Sequence, residues 1–349
     1  VWPSIIFIIT FFALLLGFSE RHFLARYFSY TGDPLTVPLS WFNPTEVVSG
    51  GKNDDLQEAS EDTLTIKRAA LDEASAYAKS QSALSLIVIH RGIIQFEEYW
   101  ENEDRSVLFN PQSMSKTVLA MLTGIAISEG HIASVDDEIG EYISEWKDDD
   151  RGQTTIRQAL QMSAGLEQMS QSYDFSITNR SVRHHFGTKF DEMALDLKQV
   201  DPPGAKYEYN NEVTNILGLV IERATGMRYA EFLSSRIWKP LELHDAAMYL
   251  DREGGSVMKS CCILSRPYDW AKLGLLFLND GEHKERTIVP SDWMKEMIMP
   301  SPTSDYYGYQ VWLGSSFIPL KSLSMVYDKG ENPPLFMTDD MISFSGYGG

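Results

Sequence analysis

The sequence predicts an α/β chain of the α+β kind: one sheet assembled from segments near the two ends, with a block of helices inserted between them. Three observations carry this. Two β-rich runs, residues 84–90 and 93–100, flank Arg91-Gly92, which makes an antiparallel hairpin. The last residues hold a further strand-like run at 341–344 that leads into Gly346-Tyr347-Gly348-Gly349. Between the two ends, apolar residues recur at helical spacing.

In chain order, residues 1–18 carry no charge before Glu20. About 18–20 apolar residues can span a bilayer. A cleavable signal has a shorter apolar core and a small-x-small site, for which Leu16-Gly17-Phe18-Ser19 is a poor match. The expectation is a membrane anchor over 1–20 holding an extracytoplasmic, periplasmic-type protein, with secretion after signal cleavage as the alternative. Residues 21–62 hold Pro34, Pro38, Pro44, Gly50-Gly51 and an acidic run. They lack sustained periodicity and read as a linker. An amphipathic helix is expected over 64–79, then the hairpin, then a helix over 113–129 that is apolar through 118–127. A turn with a short helix covers 131–143. A helix over 154–162 is opened by Thr154 or Thr155 and stopped near Gly165. Residues 166–200 read as irregular, and Asp201-Pro202-Pro203-Gly204 as a turn. An apolar helix over 211–225 is stopped by Gly226, and further helices follow over 229–237 and 268–278. The hairpin needs more strand partners than the visible end supplies, so the domain over 63–349 reads as cut short at its C-terminus.

The chain of 349 residues, 43% hydrophobic and 12% aromatic, has ample material for a core. Its net charge of −19 argues against nucleic acid, which requires a basic face to displace counterions. The two cysteines, Cys261 and Cys262, are adjacent; neighbours rarely bridge, and two make no metal site.

Ser-x-x-Lys occurs four times: Ser49/Lys52, Ser113/Lys116, Ser144/Lys147 and Ser256/Lys259. Only Ser113/Lys116 opens a long apolar helix. At a helix start, residues i and i+3 share a face, so the Lys116 amine can reach the Ser113 hydroxyl. The free N–H groups there favour developing negative charge. A buried lysine has a depressed pKa and can take the proton that makes serine a nucleophile. The bland alternative is an N-capping serine and a surface lysine. A second element is Tyr209-x-Asn211, placed after a tight turn and before an apolar helix. A tyrosine near a cationic lysine loses its proton more readily and can relay it, and an asparagine amide can hold a substrate amide. A third element is the Gly-rich end. Glycines on a strand let a ligand approach the backbone, and N–H groups at Gly346, Tyr347 and Gly348 can join that of Ser113 in an oxyanion hole.

In this order, these elements resemble the superfamily of serine β-lactamases, penicillin-binding proteins and carboxylesterases. The resemblance runs from about Leu84 to Gly349. It includes Thr155-Ile156-Arg157, Ser163-Ala164-Gly165-Leu166, Ala224-Thr225-Gly226, Trp238-Lys239-Pro240-Leu241 and Asp269-Trp270-Ala271-Lys272-Leu273-Gly274. Within it the chain is most similar to the class C-like branch of 6-aminohexanoate-dimer hydrolase and related esterases. The resemblance implies an antiparallel sheet flanked by helices with an inserted helical subdomain. It implies that Ser113 is acylated, that Lys116 and Tyr209 share base and acid work, and that Asn211 and Tyr173 contact a small amide or ester. No metal or organic cofactor is implied. The chain departs from the pattern in lacking Lys-Thr-Gly, in whose place Gly346-Tyr347-Gly348 stands, and in lacking Ser-Asp-Asn. Action on cell-wall peptides or β-lactams is thereby disfavoured, though it stays open, as does a non-catalytic binding domain of the same fold. His184 and His185 read as surface or loop residues.

Overall fold

In the computed structural model, which describes residues 20–52, 55–169, 174–314 and 340–347, the helical periodicities of the middle of the chain become a helical block around one main core. The elements in order are α1 (Arg21–Ser29), β1 (Thr45–Val48), α2 (Arg68–Ser80), β2 (Ser85–His90), β3 (Ile93–Tyr99), α3 (Ser115–Ser128), α4 (Ile156–Leu160), α5 (Arg180–His185), α6 (Phe190–Leu195), α7 (Asn211–Thr225), α8 (Tyr229–Leu233), β4 (Ala246–Tyr249), β5 (Ile263–Leu264), α9 (Pro267–Leu278), β6 (Glu282–His283), β7 (Arg286–Thr287), α10 (Ser291–Met297), β8 (Trp312–Leu313) and β9 (Ile342–Ser343).

The hairpin forms as its sequence predicts. β2 and β3 pair antiparallel, with a register shift between Val88 and Ile89, around Arg91 and Gly92, both at positive φ. That turn conformation matches the twist of the flanking strands. The single expected sheet is instead, among the described residues, a set of small antiparallel ladders: β1-β4-β5, β2-β3, β6-β7 and β8-β9. Several of these strands are two residues long, too short for an alternating pattern to show in sequence.

α3 is apolar nearly all round, and every residue from Ser115 to Ala126 is buried, as expected of a helix at the centre of a core. α7 packs beside it and ends at Gly226, whose φ of 68° provides the left-handed stop. α4 is opened by a reciprocal cap between Thr155 and Gln158. Within the stretch expected to be irregular, α5 and α6 form; each is six residues long and so shows no helical period.

Three expectations are corrected. The first is the membrane anchor. Among the described residues no helix is long and apolar enough to cross a membrane, and residues 1–19 of the segment that prompted it lie outside the described ones. An apolar run is only a candidate span. The helix that follows it, α1, is half polar and buries Phe23 and Arg26 against protein. The membrane as partner and the extracytoplasmic placement are therefore withdrawn.

The second is the linker. Residues 21–48 are part of the folded body. Phe23, Trp41 and Phe42 join Phe186, Phe190, Tyr249, Met258, Cys261, Cys262 and Leu264 in a second core. Full burial of each such aromatic ring stabilises by about 1.5–3 kcal/mol. Arg26, itself buried, donates to the carbonyls of Asn43 (2.7 Å), Leu250 (2.8 Å) and Phe186 (3.2 Å), and stacks on Tyr249 at 4.4 Å. β1 pairs with β4 along four residues. The prolines break periodicity without preventing packing, because aromatic rings and one buried guanidinium hold the segment instead.

The third is the cysteine pair. Cys261 and Cys262 are joined by a disulfide, and both are buried.

Candidate active site

The approach to α3 is a tight turn. The side chain of Asn110 accepts a hydrogen bond from the Gln112 N–H at 3.0 Å. Gln112 sits at φ 51°, a left-handed conformation rare for a residue with a side chain. One 3-10 turn, Gln112–Met114, then leads into the helix. Ser113 is thus presented just ahead of α3, in the 3-10 turn, and Lys116 lies in the first turn of the helix. The Lys116 amine donates to Ser113 Oγ at 2.9 Å and to the Ser260 carbonyl at 2.7 Å. Lys116 is 2% exposed, which dismisses the surface-lysine alternative. Burial depresses its pKa to about 7, against the opposing charge of Glu212. A substantial fraction is therefore neutral amine near neutrality and able to take a proton.

Tyr209 comes from the segment that leads into α7. The chain reverses at Met162, φ 55°, whose carbonyl accepts from the Glu208 N–H at 2.7 Å. Asn210 caps α7 by accepting from the Glu212 N–H at 3.0 Å, and donates to the Glu167 carbonyl at 3.2 Å. Held between these anchors, the Tyr209 ring lies 5.0 Å from the Lys116 amine and stacks on Trp312 at 5.9 Å. Its hydroxyl is hydrogen-bonded to Ser113, which only partly offsets the rise in its pKa that burial causes. The expectation that Tyr209 would shed its proton readily is overturned. With its pKa depressed to about 7, the lysine beside it is only partly cationic near neutrality, so it supports a phenolate less than an ordinary lysine would. The geometry brings the Lys116 amine and the Tyr209 ring to the same serine.

The Gly-rich end reaches the same place. A Cβ on Gly346 would lie 2.2 Å from the Pro111 carbonyl oxygen, so its backbone packs directly on the turn that presents Ser113. Tyr347 is 56% exposed. Asn211 is the exposed first residue of α7. Tyr173 and Gly348 lie outside the described residues.

Sequence reasoning missed the groups behind the reacting ones. The Ser260 carbonyl has no sequence signature, because any residue carries one. Asn215, one turn along α7 from Asn211, accepts from both the Lys259 and Ser260 N–H groups at 3.0 Å. Gln310 ties three helices: its carbonyl accepts from Thr117 (2.7 Å), its side-chain oxygen from Thr214 (2.8 Å), and its amide donates to the Leu160 carbonyl (2.9 Å). His184 is buried rather than on the surface, 3.5 Å from Glu212, and burial holds its pKa down at about 3. Of the other Ser-x-x-Lys pairs, Ser256 and Lys259 both bind Asp191 (2.5 and 2.7 Å), and Lys259 also binds Glu222 at 3.0 Å. Buried Lys259 is thus an ionic anchor, and the Ser256 hydroxyl shares its Asp191 carboxylate.

Comparison with known proteins places this geometry in context. The beta-lactamase family model matches residues 69–261. The chain is 24% identical over 233 residues to the 6-aminohexanoate-dimer hydrolase of Paenarthrobacter ureafaciens, covering 62% of this chain and 58% of that protein. Among solved structures it is similar to a Bacillus anthracis protein provisionally named a 6-aminohexanoate-dimer hydrolase, with a TM-score of 0.67 and 21% identity over 82% of this chain and 79% of that one. It is also similar to a D-stereospecific amidohydrolase from Streptomyces sp., with a TM-score of 0.54 and 18% identity over 71% and 83% of the two chains. At these identities the structural likenesses establish the fold, a β-lactamase and transpeptidase-like one.

Proposed function

The chain belongs to the beta-lactamase family, and on that premise we propose that it is a serine hydrolase that cleaves a small amide or ester through an acyl-enzyme on Ser113. The observation that carries the reading is the buried Lys116 amine within hydrogen-bond reach of Ser113, with the Tyr209 hydroxyl on the same oxygen.

Ser113 Oγ attacks the substrate carbonyl carbon as its proton passes to neutral Lys116. The oxyanion is received by the N–H of Ser113 and by N–H groups of the Gly346–Tyr347 backbone, at the positive end of α3. Tyr209 gives its proton to the departing nitrogen or oxygen and recovers one from the Lys116 ammonium. The carbon–heteroatom bond breaks and the acyl group stays on Ser113. Water then attacks the ester and gives a proton to the Lys116–Tyr209 pair, which returns it to Ser113 Oγ as the acyl–oxygen bond breaks and the acid leaves. Asn211, exposed at the start of α7, is placed to contact the substrate amide. The sequence offers no lysine at Gly346-Tyr347-Gly348 to hold a substrate carboxylate, which favours plain amides and esters over penicillin-type substrates.

Treatment with a fluorophosphonate, read by intact mass, tests the assignment. One adduct on the wild type and none on Ser113→Ala supports it. Equal labelling of both, or of neither in folded protein, moves the weight to a binding domain of the same fold.

A further inference from the structure

The second acceptor of the Lys116 amine is a backbone carbonyl, so its position depends on how residues 259–263 are held. On the N-terminal side they are fixed by Asn215, which takes the Lys259 and Ser260 N–H groups, and by the Lys259 ion pairs with Asp191 and Glu222. On the C-terminal side the Ile263 N–H donates to Ser115 Oγ at 3.3 Å, and Ile263 enters β5. Between these anchors stand Cys261 and Cys262. Their disulfide closes an eight-membered ring around the intervening peptide. Cys262 is at φ 72°, a region that residues with a side chain rarely adopt. The ring packs on Met258 and beneath the aromatic residues of the N-terminal segment. Cys262 also lines a small cavity with Gln112, the residue before Ser113, and with Tyr30, Trp41 and His185. The disulfide therefore adjoins both the amine's acceptor and the turn that presents the nucleophile.

We propose that the Cys261–Cys262 disulfide positions the Ser260 carbonyl against the Lys116 amine, so that reduction by a dithiol switches Ser113 down. The inference rests on the serine-hydrolase reading above. A thiolate of the dithiol attacks one ring sulfur, forming a mixed disulfide and freeing one cysteine. The second thiol of the reagent displaces the other cysteine and closes the reagent's own disulfide. Two electrons and two protons pass to Cys261 and Cys262. The opened segment loses the constraint at Cys262, the Ser260 carbonyl moves off the amine, and water reaches Lys116.

The test uses the full chain with and without dithiothreitol. Alkylation in denaturant counts thiols, and the fluorophosphonate labelling rate is followed against pH. The oxidised chain should take no alkyl group and the reduced chain two. Reduction should slow labelling about tenfold or more near pH 7, since a misplacement of about 1 Å can cost that much. It should also move the acidic limb of the profile upward while far-UV circular dichroism is unchanged; a merely structural role would not move the limb. The C261S/C262S variant should match the reduced chain and ignore dithiothreitol; if it does not fold, the reduced wild type decides alone. Two alkyl groups on the untreated chain, or a rate within about twofold and an unmoved limb after reduction, overturns the switch. An oxidised chain that takes no label, or a label that also appears on Ser113→Ala, overturns the serine-hydrolase reading and the switch with it.

Discussion

Replacing Lys116 with Met should make the fold more stable at low pH while abolishing its reactivity. Met fills nearly the same volume without the charge. The folded-state pKa of Lys116 is about 7 against an ordinary 10.5, and desolvation is the principal cause. The sign follows from proton binding. Between about pH 7 and 10.5 the unfolded chain binds the proton and the folded chain does not, so stability rises with pH across that window. Below it the lysine is protonated in both states and the cost of burying the charge is present in full. At about 1.36 kcal/mol per unit, that cost is about 5 kcal/mol at pH 6 and about 2 kcal/mol at pH 9. Lys116→Met removes it but also removes the hydrogen bonds to Ser113 and Ser260, about 1 kcal/mol each and nearly independent of pH. The variant should therefore gain a few kcal/mol at pH 6, and roughly 3 kcal/mol less at pH 9. Denaturant unfolding of wild type and variant at the two pH values measures this difference, from which titrating groups not coupled to Lys116 cancel. A gain or loss that is the same at both pH values would refute a lysine held near neutrality by burial.

Other outcomes follow from the same geometry. Tyr209→Phe keeps the stacking on Trp312 but removes the proton donor; turnover should fall by about 10²–10⁴, more for amides than for esters with good leaving groups, as paired substrate kinetics would reveal. Gly346→Ala places a Cβ 2.2 Å from the Pro111 carbonyl oxygen, so the Ser113 turn must shift, at a cost of about 1–3 kcal/mol, and phosphonylation should slow. Gln310→Ala leaves the Thr214 hydroxyl without its partner, while the Leu160 carbonyl keeps the backbone N–H of residue 310. At about 1–3 kcal/mol for one orphaned buried group, it should lower the denaturation midpoint measurably.

Much of this was legible in the sequence where a pattern is local. The helix after Ser113, the Gly226 stop, the Arg91-Gly92 hairpin and the Thr155 cap all formed where their residue types require. Ser113, Lys116 and Tyr209, 96 residues apart from first to last in number, converge as the motif order suggests. The rest depended on long-range packing that leaves no local mark. Residues 21–48 look like a linker because Pro34, Pro38 and Pro44 break the period, yet the buried side chains of Phe23, Arg26, Trp41 and Phe42 tie the segment to the folded body. The Ser260 carbonyl is a backbone group without sequence identity. Asn215 and Gln310 are ordinary polar residues until the chain closes around them. The proton preference of Tyr209 follows from the depth of its burial, which no spacing rule reports.

The rate of Ser113 phosphonylation as a function of pH bears most closely on an activated serine. Neutral Lys116 is the reactive form, so the wild-type rate should climb as pH rises toward about 7 and then level. It should be slow and nearly flat for Lys116→Met. A wild-type rate that goes on climbing to the range of an ordinary lysine, or a variant that labels as fast as the wild type, would contradict a Lys116-activated Ser113.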